Sequence, residues 1–139
     1  MRGFHAAGLA ALLILASGCG KSSAPSSGTF SETFNGTVTQ GAVSFGDGNR
    51  NHFTVHRPGA VTATITTLSP INTISIGLGL GIFDAATSSC SLQLLADAAK
   101  INLSLSGTAE AAGELCVGVY DVGDIHDTAI TYVVTVVHT

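Results

Sequence analysis

From residue 30 onward, apolar and polar positions alternate in short runs broken by Gly, Pro, Asn and Asp, the pattern of strands joined by turns. The clearest run spans residues 73–83, where Ile74, Ile76, Leu78, Leu80 and Ile82 share one face and Ser75, Gly77, Gly79 and Gly81 the other. Five large aliphatics at period two predict the middle of a core. The nearly bare opposite face admits close approach of another backbone or of a ligand. Residues 61–68 place Val61, Ala63 and Ile65 inward against Thr62, Thr64 and Thr66. Residues 115–122 place Leu115, Val117 and Val119 inward and Cys116, Gly118 and Tyr120 outward. Residues 130–137 turn Ile130, Tyr132, Val134 and Val136 to the core.

Weaker runs complete the set. Residues 30–38 form one strand, or a pair interrupted at Asn35-Gly36, a dipeptide suited to a tight turn or bulge. Residues 42–45 make a short strand, 46–49 a loop, and 52–56 a strand with Phe53 and Val55 on one face. Arg57-Pro58-Gly59-Ala60 is a turn, and Ser69-Pro70 ends the strand before it. Residues 90–95 and 103–108 are strands, whereas 96–100 reads equally as a helical turn or a loop. Ala112-Gly113 is a turn and residues 121–127 an acidic loop. Roughly seven to nine strands over residues 29–139 predict an all-β domain, an antiparallel β-sandwich.

The first 28 residues follow another logic. Arg2 precedes an apolar run at residues 6–16, broken only by Gly8, and then the small residues Ala16, Ser17 and Gly18. This is the three-part build of a secretory signal, here residues 1–18. The run is about eleven residues long, short of the roughly twenty a spanning helix needs. Cys19 directly after the small residues resembles the lipobox of bacterial lipoproteins, although Ala16 stands where that family most often has Leu. The resemblance implies that the Cys19 thiol is acylated and becomes the mature N-terminus, inserted in the lipid bilayer. An ordinary secretory signal ending near a cysteine is the alternative. Gly20 in place of Asp implies, by the same resemblance, sorting to the outer membrane if the host has one. Several acyl chains make a lasting anchor where one does not. Residues 19–28, rich in Ser and Gly, are a flexible tether that lifts the domain by at most about 30 Å.

Removing residues 1–18 leaves 121 residues, 139 minus 18, enough for one domain with a real core. That chain holds four Lys and Arg against nine Asp and Glu, a net charge of 4 − 9 = −5, which repels nucleic-acid backbones. Cys90 and Cys116 form an even pair in an exported chain, so a disulfide is expected between them, with two separate buried thiols as the alternative. Closing that loop contributes about 3–4 kcal/mol in the chain-entropy model. Cys116 is expected to point away from the main core, and without a Cys-x-x-Cys spacing the bridge is structural rather than redox-active.

Candidate chemistry is sparse. His52 and His56 lie on one strand face about 13 Å apart, too far to share an ion, and are expected to be exposed, as are His126 and His138. Asp47, Asn49 and Asn51 recur at alternate positions like the opening of a calcium loop, but His52 and Pro58 occupy the places of the EF-hand Gly and Glu. Asp121, Asp124 and Asp127 form a second oxygen-rich loop, and solvated turns are the alternative for both. There is no Gly-x-Ser-x-Gly, His-Glu-x-x-His or Cys-x-x-Cys. With no Trp, and Tyr120 the one outward aromatic, the chain offers little surface for sugar stacking.

Phe53-Thr54-Val55 followed by Pro58-Gly59-Ala60-Val61-Thr62-Ala63, then Ala112-Gly113-Glu114-Leu115-Cys116-Val117-Gly118-Val119-Tyr120, and finally Tyr132-Val133-Val134-Thr135-Val136, resemble the bacterial pre-peptidase C-terminal domain family. The resemblance covers most of the domain and implies a jelly-roll-like sandwich. Leu115 and Cys116 stand where the family usually has aromatics, and, with residues 1–28 read as signal and tether, no peptidase domain is expected to precede this copy. Some such domains bind calcium, which makes Asp47, Asn49, Asp121, Asp124 and Asp127 candidate calcium ligands; no other cofactor is expected. The expected protein is thus a surface-tethered, non-enzymatic bacterial lipoprotein of the cell envelope with a structural or adhesive role. The alternatives are a ligand-binding module for a glycan or matrix protein, assisted by calcium, and a small hydrolase without a recognisable motif.

Overall fold

The computed structural model describes residues 28–46 and 52–139; the signal segment, Cys19, most of the tether, and Asp47, Asn49 and Asn51 lie outside them. Nine strands occur among the described residues: β1 (Phe30–Val38), β2 (Val43–Ser44), β3 (Phe53–Val55), β4 (Gly59–Ser69), β5 (Ile76–Asp84), β6 (Ser89–Ala99), β7 (Ser104–Ala109), β8 (Gly113–Tyr120) and β9 (Ile130–His138). One sheet has the order β1-β9-β4-β7; the other runs β2-β8-β5-β6, with β3 also on β8, and every pairing is antiparallel. Counting β2 and β3 as one interrupted strand, these are two four-stranded sheets in jelly-roll order. The inward faces expected from period two are the ones buried: Val61, Ala63 and Ile65 on β4, Ile76 and Leu78 on β5, Val117 and Val119 on β8, and Tyr132, Val134 and Val136 on β9.

Departures from simple alternation have local causes. β1 continues through Asn35-Gly36 without a turn, because Gly36 pairs with Tyr132 and its missing side chain leaves room for the Tyr132 hydroxyl. That hydroxyl bonds Ser44 Oγ at 2.8 Å and accepts from the Gly46 N–H at 2.9 Å, tying the chain after β2 to the opposite sheet. On β4 a bulge between Ile65 and Thr67 turns both Thr66 and Thr67 to solvent and returns Leu68 to the core. Gly59 and Ala60 belong to β4 rather than to the preceding turn. Residues 96–99 are strand, neither helical turn nor loop, since the ladder with β5 through Leu78–Ala96 and Ile76–Ala99 overrides the weak β propensity of Ala. Residues 73–75 precede β5, although Ile74 is still buried.

The glycine face of β5 is occupied by the chain itself. The Tyr120 ring covers Gly77, Leu92 and Leu95 cover Gly79, and the backbone of Ser91 and Leu92 lies on Gly81. The start of β6 thus leans over β5 towards β8, where Cys90 and Cys116 form a disulfide with Cα atoms 6.0 Å apart. Cys116 faces away from the inter-sheet core as expected, yet it is 0% exposed, because this overlay covers it. Two further expectations fail. Ile82 keeps the inner face of β5 but is 58% exposed, and His138, expected at the surface, is 1% exposed at the end of β9.

Candidate functional site

Ile82 is exposed because the sandwich is open there. An apolar cleft of about 610 Å³ lies between the end of β5, β6, β7 and the β7–β8 turn, with Val61 and Leu80 at its base. The volume falls in the range of small-ligand pockets, roughly 300–1,000 Å³. Leu94 of β6, 38% exposed, reaches across to Gly107 of β7, where an added Cβ would sit 3.2 Å from its Cδ2. Glu110 and Glu114 are the charged residues of the lining. Phe83, also in the lining, carries the His52 ring stacked on it at 4.1 Å and 7°, and His52 Nε2 lies 3.9 Å from Glu114 Oε1.

The cleft and Gly28 share one end of the sandwich. Gly28, the first described residue, accepts a hydrogen bond from Arg57 Nη2 at 3.3 Å, two residues before Gly59, which pairs with Ala109 in the cleft wall. Val55 pairs with Gly113, another wall residue, at the same end.

The oxygen-rich loop after β8 is built around one of its acids. Asp121 Oδ2 accepts the Gly41 N–H at 2.8 Å, and Oδ1 accepts those of Gly123 at 2.8 Å and Ile125 at 3.1 Å. These donors, Gly41 foremost, hold the Asp121 carboxyl below the usual carboxylate range. Asp124 and Asp127 are exposed. Among the described residues no three His, Cys, Asp or Glu side chains converge as metal ligands, so the structure does not bring Asp121, Asp124 and Asp127 together. Asp84, the last residue of β5, is likewise lowered by the Thr87 hydroxyl and the Ala86 N–H.

His56 is exposed, as the strand pattern predicts, and so is His126, whereas His52, expected to be exposed, is half-buried with its ring stacked on Phe83. His138 lies between the rings of Phe30 and Phe53, with Nε2 3.0 Å from Glu32 Oε1 and with Nδ1 buried and without a hydrogen-bond partner. Alternation at the end of β9 could have placed it inward, since it continues the parity of Val134 and Val136. On the outer face, Tyr120 donates to Asp97 Oδ1 at 2.5 Å, and burial of its ring followed by that carboxylate pushes the phenol up to about 12.

Sequence reasoning placed none of its candidate ligands in the cleft and missed the residues that form it. Ile82 was legible as the last of five aliphatics, but where the facing sheet stops covering them was not. Compared with protein-family models and with curated proteins, the chain matches none. Fold and site together define an antiparallel β-sandwich with an apolar cleft at the end where Gly28 lies.

Proposed function

We propose that this chain is a lipid-tethered, non-enzymatic protein of the bacterial envelope whose β-sandwich serves a structural or adhesive role, gripping a protein partner by an apolar side chain in the cleft. The observation that carries the reading is the cleft itself: about 610 Å³, lined mainly by aliphatic side chains and glycine, with Ile82 left 58% exposed inside it. Leaving a large aliphatic in water forgoes part of the roughly 1.5–3 kcal/mol that its full burial provides, and an apolar group of a partner recovers it. Sugars favour flat aromatic platforms and polar rims, so an aliphatic cleft supports a matrix protein over a glycan as ligand. The signal-like sequence ending at Cys19, and the place of Gly28 at the end bearing the cleft, support a position close to the membrane surface.

The test is an array of matrix proteins and glycans probed with the full chain and with its Ile82→Asp variant. Binding to a matrix protein that Ile82→Asp abolishes is the expected outcome. Binding confined to glycans, or unchanged in the variant, would remove the support for this reading.

A further inference from the structure

Resting on that reading of the cleft, we propose the chemistry of the partner: an extended, cationic polypeptide segment that pairs with the free edge of β7 and places an apolar side chain against Ile82 and Leu94. The cleft is flanked by two strand edges, because among the described residues β6 pairs only with β5 and β7 only with β4. Free edges carry unpaired N–H and C=O groups that an extended chain can satisfy, whereas an acyl chain or a ring cannot. Of the two, β6 carries register shifts at Ile76/Leu78 and Leu80/Gly81 in its ladder, which twist an edge and protect it. β7 pairs with β4 in unbroken register from Gly59–Ala109 to Thr64–Ser104 and contains neither Pro nor a charged residue. It therefore lacks the bulges, prolines and charged residues that commonly guard an edge. Its residues Gly107, Thr108 and Ala109 form one wall of the cleft, so a segment paired there sends alternate side chains towards Ile82.

The charge of the segment follows from the rim. Glu110 and Glu114 belong to the lining and neither Lys nor Arg does. An anionic segment or a fatty-acid carboxylate meets repulsion there, whereas Lys or Arg on either side of the inserted apolar residue meets opposite charge, an attraction that weakens with salt.

The experiment uses the full chain and a fluorescein-labelled nonapeptide alternating Lys and Leu, with the Glu and Leu counterpart and dodecanoate as comparisons. Anisotropy is expected to show the Lys–Leu peptide binding at least tenfold tighter than the Glu–Leu peptide. Ile82→Asp and Leu94→Asp should each weaken it at least fivefold, and Glu110→Gln with Glu114→Gln should flatten its salt dependence. Both aspartate variants change side chains already open to water, and an unchanged circular dichroism spectrum checks that they fold. Hydrogen exchange in the complex should slow at amides of Ser104–Ala109. Equal binding of the two peptides, tighter binding of dodecanoate, or protection confined to β6 overturns the inference. If a matrix protein still binds through Ile82 while the Lys–Leu peptide does not, this inference fails and the broader role of the cleft stands.

Discussion

Gly81→Ala tests the packing on which the β5–β6–β8 side of the sandwich depends. A Cβ on Gly81 would lie 2.6 Å from the Ser91 carbonyl carbon and 2.7 Å from the Leu92 Cα, with the Ser91 oxygen closer still. Ordinary contacts begin near 3.4 Å, so β6 must move away by at least about 0.8 Å to clear the Ser91 carbonyl carbon, and further to clear its oxygen. The obstacle is backbone, not a side chain that can rotate, and its neighbour Cys90 is bonded to Cys116 on β8. Overpacking costs about 1–3 kcal/mol, and a pinned backbone places this case near 3 kcal/mol. Gly113→Ala is the control: nothing lies within 4 Å of its Cβ and its backbone is outside the left-handed region, so the change should be neutral or stabilising by about 0.5 kcal/mol. In urea denaturation with an m value of about 1.5 kcal/mol/M, the Gly81→Ala midpoint should fall by about 2 M while m stays constant. Repeating the pair in a Cys90→Ser, Cys116→Ser background should reduce the cost, because β6 can then lift. A Gly81→Ala stability within about 0.5 kcal/mol of the Gly113→Ala stability would show that β6 does not bear on β5 as described.

Replacing both Cys90 and Cys116 with Ser should lower stability by about 3–4 kcal/mol, given their sequence separation of 26; a loss below about 1 kcal/mol in the same denaturation assay contradicts this. The Tyr120 phenol, raised from 10 to about 12, contributes stability that is present below pH 10 and lost as pH rises through 12. Since burial outranks Asp97 among the causes, Asp97→Asn should lower the Tyr120 transition in an ultraviolet titration only part of the way towards 10, and an unmoved transition contradicts the contact. Cys19→Ser should release the protein from the membrane fraction and remove the acyl mass from the mature N-terminus; a wild-type protein that is already soluble and unacylated ends the lipoprotein reading.

Much of the fold was legible because strand alternation is a local property, set by the two-residue repeat of the backbone. The inner faces of β4, β5, β8 and β9, the all-β class and the cysteine pair all follow from residues close in sequence or from simple counting. What tertiary structure alone decided is what depends on which surface lies opposite. Gly81 had to be bare, but only the lean of β6 shows that backbone rather than ligand fills the space and that Cys116 is thereby buried. Ile82 and Leu80 look alike in the pattern, and the facing sheet covers one and leaves the other in an open cleft. His138 has the composition of a surface residue, yet Phe30, Phe53 and Glu32, far from it in sequence, enclose it. Asp121 sits in an acidic loop, and the Gly41 amide that occupies its carboxylate comes from 80 residues away. Burial and partnership are set by where distant segments stop as much as by where they run, and the period of a strand does not encode where its neighbour ends.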